Sequence, residues 1–339
     1  MKKYQLIFTA VLCGVLLSSA ALAQDNEKRA QTGFKFLNVA TDPRAVGMGE
    51  AVTAIEGGSS SMFFNPAAMA RMTSFADAQV GQTNWIADIK HIYGSIAFAP
   101  SGGDYGVLGF TFQSVDYGEI LATIRNDAAP GGFQDVGNIK PKAMAVGIGY
   151  ARALSDRFSV GGNVRYTMQD LGGSINTISK GVLGDAKENK KSVAAFDFGM
   201  YYKTGIKSLD FAVSIRNFST EVKYERESFQ LPLIFRVGLS FNMMDLVTDS
   251  KDADKFVVSV DATHPRDFSE QINVGGEYVF MKILALRAGY MFNNDEYGFT
   301  AGAGVKLAQE NWGGIGVDYS YTKFTEFGNV NRLAVSLSF

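Results

Sequence analysis

The sequence is poor in charge and has almost no excess of either sign. Charged residues make up 19% of its 339 residues, below the share of about 25% in soluble domains. The 32 Lys and Arg residues nearly balance the 34 Asp and Glu residues, for a formal net charge of −2. Proteins that bind nucleic acid carry a basic excess that neutralises its phosphates. The composition therefore argues against nucleic acid as a partner.

Cysteine and histidine are also scarce, which limits the chemistry open to the chain. The only cysteine is Cys13, and the two histidines, His91 and His264, fit no metal-binding spacing. Ser259 and Asp261 would complete a hydrolase-type trio with His264, but side chains alternate along a strand, so His264 points to the opposite face. We expect no metal, no cofactor and no catalytic residue, and predict that the protein is not an enzyme.

A long apolar run occurs only at the start of the chain. Two lysines precede an apolar stretch at 6–17, and Ala21-Leu22-Ala23 follows it. This order is typical of a cleaved export signal, and the stretch is too short for a membrane anchor. We predict a signal peptide at residues 1–23. No later stretch reaches the roughly 18 apolar residues of a membrane helix, which excludes a helical membrane protein.

Almost all of the chain after residue 75 alternates apolar with polar or small residues. In the last segment Leu333, Val335 and Leu337 alternate with Ala334, Ser336 and Ser338. Segments of this kind are about ten residues long, which crosses a bilayer at a tilt near 45°. They predict an all-β fold, a 14-stranded antiparallel transmembrane β-barrel over residues 76–339. The segments lie at 76–84, 90–99, 104–114, 142–153, 157–169, 192–203, 207–218, 232–242, 255–264, 270–280, 282–292, 297–307, 312–322 and 331–339.

A soluble sandwich would also alternate, but three features favour an outer-membrane barrel. The apolar faces are rich in Phe and Tyr near the strand ends, as in aromatic girdles. The opposite faces are rich in Gly, Ser, Asn and single charges, which suit a lumen. The chain ends on Phe339, which closes an alternating strand and resembles the assembly signal of outer-membrane proteins. We therefore expect outer-membrane lipid and the barrel-assembly machinery among the partners.

Residues 24–75 do not alternate and hold clusters of small residues. Ahead of a barrel, such a segment is either a disordered tail or a plug inside the lumen. The turn residues Asn65-Pro66 and the closely spaced Gly47 and Gly49 favour a plug. We predict an N-terminal hatch over residues 24–75, inside the barrel.

Two motifs in this segment carry a resemblance to a known family. The first has the order D-x-R-x-x-G-M-G-x-A, and the second the order F/Y-N-P-A-x-x-A. Together they resemble the N-terminal signature of the PorV/PorQ family, within the wider group of barrels similar to the fatty-acid transporter FadL. The sequence departs from that pattern at Ala68 and Glu50, where Gly is common in relatives. The motif residues are Asp42, Arg44, Gly47, Met48, Gly49, Ala51, Phe64, Asn65, Pro66, Ala67 and Ala70.

The resemblance implies a non-enzymatic barrel and leaves two functions open. PorV-like members serve the type IX secretion system, where they bind secreted cargo at the translocon and pass it to the surface attachment machinery. FadL-like members instead admit hydrophobic small molecules past the hatch. We expect the first function, with the type IX translocon and secreted cargo proteins as partners, and keep the FadL-like channel as the alternative.

The longest connections indicate where a partner would bind. With an even number of strands, the connections at 115–141, 170–191 and 219–231 all lie on the external side. They contain apolar residues that either dock a partner or fold over the mouth of the barrel. The candidate residues are Ile120, Leu121, Phe133, Ile175, Ile178, Leu183, Tyr224 and Phe229.

Single charges on the expected lumen faces allow two interpretations. They form either a polar permeation path or a paired network that holds the hatch, and we favour the network because isolated charges in a barrel must be paired or wet. The charges are Arg165, Asp197, Asp210, Arg216, Arg236, Asp261, Glu277, Arg287, Lys306 and Asp318.

Overall fold

The structure is a computed structural model that describes residues 31–174, 178–179, 182–183, 187–248, 254–309 and 313–339. The expected signal peptide at 1–23 and the candidate residue Ile175 lie outside the described residues.

A closed barrel of fourteen antiparallel strands forms most of the described chain, as the alternation predicts. The first and last strands pair, with Val80 opposite Val335, and so leave no free edge. The strands are β1 Ala76–Asn84, β2 Lys90–Phe98, β3 Val107–Asp116, β4 Lys142–Ala153, β5 Phe158–Ser174, β6 Lys187–Lys203, β7 Asp210–Ser219, β8 Ile234–Asn242, β9 Lys255–Pro265, β10 Gln271–Phe280, β11 Leu284–Phe292, β12 Phe299–Gln309, β13 Gly313–Phe324 and β14 Gly328–Ser338.

The two faces of each strand have opposite chemistry. In β11, Leu286, Tyr290 and Phe292 are exposed on the outside, whereas Arg287 and Met291 are buried inside. An apolar outer face is what lipid requires, and a polar lumen is usual for a membrane barrel. The apolar outer face and the polar inner face of the strands thus follow from the period-2 pattern.

Two expected boundaries differ from the structure in an instructive way. β5 and β6 continue together as far as the pair Ser174–Lys187, beyond the segments expected to end at 169 and begin at 192. The added residues include Asp170, Lys187 and Glu188, so this extension is a polar ribbon rather than a lipid-facing one. Charged residues interrupt the apolar–polar alternation in the sequence, but they do not prevent the backbones of β5 and β6 from pairing.

The connections gather at two ends of the barrel. One end, here the loop end, holds the three long connections, which contain two-stranded hairpins. These are Ile120–Arg125 with Phe133–Ile139, Ile178–Ser179 with Val182–Leu183, and Val222–Lys223 with Ser228–Phe229. The opposite end, the turn end, has short connections and one longer one that begins with the 3-10 helix Met243–Leu246. Long loops are extracellular in outer-membrane barrels, so the loop end is the external one.

The N-terminal segment, residues 31–75, packs against the inner face of the strands and contributes buried side chains to four of the hydrophobic clusters among the described residues. It contains the helix α1 Pro43–Gly47 and the 3-10 helices Lys35–Asn38, Ser59–Phe63 and Pro66–Arg71. Further 3-10 turns occur at Ile86–Asp88 and Pro100–Gly103. Buried side chains of the segment pack against lumen-facing residues of the wall, such as Phe63 against Tyr93. No helix in the described part of the chain is long and apolar enough to cross a membrane.

Candidate functional site

The first motif folds into a capped helix because of its Asp-Pro-Arg order. The Asp42 carboxylate accepts a hydrogen bond from the Arg44 backbone N–H at 3.1 Å, and Pro43 occupies the first turn. Gln79 of β1 donates to the same carboxylate at 3.1 Å. Burial and the nearby Asp318 raise the pKa of Asp42. Asp42 therefore both starts the helix and ties it to the wall.

Arg44 connects the helix to the opposite wall through a chain of charges. Its guanidinium makes two contacts with the Glu277 carboxylate, at 2.8 and 3.0 Å. Arg287 donates to Glu277 at 2.6 Å and to Asp318 at 2.5 Å. The carboxylates of Glu277 and Asp42 raise the pKa of Arg44 above its usual range. The two guanidiniums and two carboxylates compensate one another, as the buried Arg287 and Glu277 require, while the Arg44 side chain is 34% exposed.

The Gly-Met-Gly stretch is where the segment comes closest to the barrel wall. Gly49 has a left-handed φ of +61° and its backbone N–H donates to Thr300 Oγ1 at 3.0 Å. A Cβ on the wall residue Gly275 would overlap the Met48 carbonyl, and one on Gly289 would overlap the Gly49 amide. Backbone therefore meets backbone here, which explains the glycines on both sides of the contact.

The second motif forms the expected turn at Asn65-Pro66. Asn65 accepts from the Ala67 N–H at 3.0 Å and donates to the carbonyls of Thr53 at 2.9 Å and Met200 at 3.2 Å. Its side chain fills the space beside Gly199 of β6. A single amide thus satisfies three backbone groups in a dry interior, where an unpaired group would be costly.

Glu50 is a site residue that sequence reasoning missed. It is buried, adopts a φ of 59°, and pairs with Arg236 at 2.7 Å and with the Tyr297 hydroxyl at 2.9 Å. The sequence shows Glu50 only as a departure from the glycine of the motif. The one signal in the sequence is that Glu50 is a single carboxylate among small residues. A buried carboxylate of this kind predicts an arginine of the lumen as its partner.

The lumen charges largely form the paired network that we favoured. Arg165 pairs with Asp197 at 2.7 Å, and Asp261 accepts from the Thr53 N–H at 2.9 Å. Arg216 differs, since it makes no ion pair within the described residues and lies 5.8 Å from the Phe64 ring centroid. Lys306 is exposed. In the described part of the chain, no group of three or more His, Cys, Asp or Glu side chains is arranged to hold a metal ion.

The candidate loop residues fall into two groups. Ile120, Leu121 and Phe133 are 48%, 59% and 55% exposed on the first hairpin. Tyr224 and Phe229 stack on each other at 5.7 Å and are half-buried, with the Phe229 ring 6.2 Å from that of Phe34. The second group therefore covers the start of the N-terminal segment instead of facing solvent.

The remaining candidates lie at strand ends. Ile178 and Leu183 pair across the second hairpin, and their side chains lie outside the described residues. Phe339 follows β14 and is exposed; its backbone exchanges hydrogen bonds of 2.8 and 3.1 Å with Ala76. The C-terminus thus sits at the seam where the barrel closes.

Comparison with known families decides the identity. The family model described as type IX secretion system protein PorV matches residues 22–264, more than half of the chain. The chain belongs to the PorV family. No curated protein matches the sequence.

Solved structures show what the PorV-family barrel resembles in fold. The toluene transporter TbuX of Ralstonia pickettii shares 12% identity at a TM-score of 0.55, over 88% of this chain and 98% of that one. The monoaromatic hydrocarbon channel CymD shares 14% identity at a TM-score of 0.56, over 89% and 98%. A FadL homologue of Pseudomonas aeruginosa shares 12% identity at a TM-score of 0.55, over 89% and 99%. Identities this low show a common fold and nothing more about function.

Proposed function

We propose that this protein is a non-enzymatic outer-membrane barrel that binds type IX secretion cargo at its loop end. The cargo then passes to the surface attachment machinery. The partners are secreted proteins and the type IX translocon, with outer-membrane lipid around the barrel and the barrel-assembly machinery acting during its insertion. Residues 1–23 act as the export signal and residues 24–75 as the hatch.

The observation that carries this proposal is the first hairpin, Ile120–Ile139. It stands on β3 and β4 and exposes Ile120, Leu121 and Phe133. Exposed apolar clusters on loops commonly mark protein interaction sites. Lipid-facing residues on the strands have a reason to be apolar, but residues on an external hairpin do not. A docked polypeptide would supply that reason.

The filled lumen supports docking at the rim over passage through the barrel. Val46, Met48, Ala54 and Met69 of the N-terminal segment are completely buried against the wall. A folded cargo domain needs far more room than such an interior leaves. The rim of the loop end is the surface that remains available to cargo.

The experiment is to replace the hairpin by a short turn. Asp116 and Lys142 pair directly, so a two-residue Asn-Gly link can join them in place of residues 117–141. Loop length costs stability only weakly, and the barrel should still assemble and shift on unboiled gels. Cargo capture by the purified barrel should fall at least about tenfold, because truncating interface hot spots costs about 2 kcal/mol or more.

A substitution series separates docking from loop shape. Replacing Ile120, Leu121 and Phe133 by Ser should reproduce the loss. The matched control replaces Leu154, Ile206 and Leu246 by Ser. These three residues are at least as exposed as those of the hairpin but lie at the turn end. Normal cargo capture by the hairpin variants would show that the exposed side chains of the first hairpin do not bind cargo.

The FadL-like channel is the second candidate, supported by the toluene transporters among the structural neighbours. In that case the hairpin would cover an entry path for hydrophobic molecules. Uptake of labelled toluene by vesicles containing the barrel should then rise when the hairpin is shortened. Unchanged uptake together with lost cargo capture would favour the secretion function.

A further inference from the structure

The first hairpin carries a strand edge that pairs with nothing. Its first strand, Ile120–Arg125, pairs with Phe133–Ile139 along one edge. Within the described residues, the backbone of Ile120–Arg125 makes no hydrogen bond outside this hairpin. Its other edge therefore presents a row of unpaired N–H and C=O groups.

The barrel wall leaves this edge open and flanks the opposite one. The chain enters the hairpin from β3, whose other neighbour, β2, begins opposite Asp116 at the foot of the hairpin. The second strand instead leads into β4, beside which β5 continues outward as far as Ser174. Ile139 lies against β5 there, since a Cβ on Gly172 would come within 3.0 Å of its side chain. The edge of Ile120–Arg125 is thus the free side of the hairpin.

The composition of this strand gives its edge no protection. Natural edge strands are usually very short or carry lysine, proline, a bulge or an inward-pointing charge. Ile120–Arg125 reads Ile-Leu-Ala-Thr-Ile-Arg and has none of these features before its last residue. The bulge of the hairpin lies in the other strand, at Val136. An apolar, β-branched stretch of this kind has a strong tendency to pair with a further strand.

The other two hairpins of the loop end offer no comparable edge in the part of the chain that the structure describes. Each of their strands is two residues long, and short strands are one form of edge protection. The third hairpin also packs on the N-terminal segment, through the Phe229 and Phe34 rings. An edge long enough to accept several hydrogen bonds therefore belongs to the first hairpin.

The charges of the first hairpin are mostly neutralised within it. Lys140 pairs with Glu119 at 2.5 Å, and Arg125 pairs with Asp127 at 2.8 Å. Among the described residues, Asp135 is the one charge of this connection without an ion pair. A strongly charged partner would gain little here. The hairpin is suited to a partner that it recognises through backbone groups and apolar side chains.

One ligand chemistry complements a row of backbone donors and acceptors. An extended polypeptide strand offers matching groups at the same spacing, and main-chain hydrogen bonds then supply the affinity. Its side chains would lie beside exposed residues such as Leu121. A hydrocarbon has no group that could pair with the edge, and a fatty acid has a single carboxylate.

We propose that an extended strand of the cargo adds to the open edge of Ile120–Arg125 and turns the first hairpin into a three-stranded sheet. The inference rests on the proposed function, since it specifies how this hairpin holds a secreted protein. It assigns the binding to the backbone of one strand in addition to the apolar side chains around it.

The test uses the whole barrel in detergent and two labelled nonapeptides of alternating Thr and Val with a lysine at each end. The probe has backbone N-methyl groups on its third, fifth and seventh residues, which block one edge and leave the other free. The control has the same number of methyl groups on its fourth, fifth and sixth residues, which interrupts both edges. The probe should bind at least about tenfold more tightly, because the control loses several backbone hydrogen bonds together. The difference should persist at high salt, since it does not depend on charge.

Hydrogen exchange of the barrel locates the bound probe. The amides of Ile120–Arg125 that face away from the hairpin partner should exchange at least about tenfold more slowly when the probe is bound. The outward-facing amides of Phe133–Ile139 are the internal control and should keep their rates. The barrel in which an Asn-Gly link replaces residues 117–141 should show no preference between the two peptides.

Three results would overturn the inference. They are equal binding of the two peptides to the unaltered barrel, protection confined to Phe133–Ile139, and a barrel dimer that disappears with the hairpin, which would assign the edge to a second copy of the chain. The peptides report on the edge without any cargo. Cargo capture that depends on the hairpin side chains, with no preference between the peptides, would leave the proposed function standing without the edge. A clear preference, with cargo capture that survives removal of the hairpin, would instead refute the proposed function.

Discussion

At the scale of single residues, Gly275 and Gly276 offer a direct test of the contact between segment and wall. They are neighbours on β10 that face opposite sides of the barrel. A Cβ on Gly275 would overlap the Met48 carbonyl, whereas one on Gly276 would meet its nearest atom, in Phe256, at 3.5 Å. Gly275→Ala should lower the free energy of unfolding by about 1–3 kcal/mol, since backbone cannot yield as a side chain does. Gly276→Ala should change it by less than about 0.5 kcal/mol.

The measurement is the temperature at which the compact band disappears on unboiled gels. Equal melting of both variants would mean that the N-terminal segment does not press on the wall at Met48. A loss confined to Gly276→Ala would contradict the assignment of inner and outer faces.

The same residues show how far sequence reasoning reaches. Gly47 and Gly49 predict close backbone packing because glycines cluster there. Their wall partners, Gly302 for Gly47 and Gly289 for Gly49, are more than 200 positions away, and nothing in a single sequence pairs them. Glu50 was missed for a related reason. Its role as a buried partner depends on Arg236 and Tyr297, and only the closed barrel brings these residues close to it.

At the scale of elements, the strands were predictable and the roles of the loops were not. Alternation fixes which residues face lipid, so all fourteen strands follow from the pattern. An apolar residue on a loop carries no such periodicity. Phe133 and Phe229 look alike in the sequence, yet one is exposed and the other packs on Phe34.

This difference gives a prediction about the start of the N-terminal segment. Phe229→Ala removes the ring that covers Gly33 and Phe34, whereas Phe133→Ala removes an exposed ring from the first hairpin. Hydrogen exchange of the amides of Gly33 and Leu37 should speed up at least about tenfold in the first variant, because local opening then costs less. The second variant should match the unaltered protein. Unchanged exchange after Phe229→Ala would show that the third loop does not hold the segment in place.

At the scale of the whole molecule, the path of the N-terminal segment is unexpected for a plug that precedes a barrel. Thr32 bridges to Gln230, and the Gly33 N–H donates to the Gln230 carbonyl at 3.1 Å, both at the loop end. The segment then crosses the lumen to the turn end, where Glu56 pairs with Lys203 at the end of β6. The described chain therefore begins near the external mouth and reaches β1 from the opposite side.

This path can be tested by labelling on intact cells. Gln31 and Glu56 are both exposed, and the only cysteine, Cys13, lies in the predicted export signal. A membrane-impermeant maleimide should label Gln31→Cys on intact cells, because that residue lies at the external end. It should label Glu56→Cys only after the outer membrane is permeabilised, since Glu56 lies at the turn end behind a filled lumen. Labelling of Glu56→Cys from outside would mean that the lumen opens far enough to pass the reagent. That result would favour the FadL-like channel function over the cargo-binding function. Labelling in the reverse order would mean that the barrel is inserted the other way round, with the first hairpin and the rest of the loop end in the periplasm.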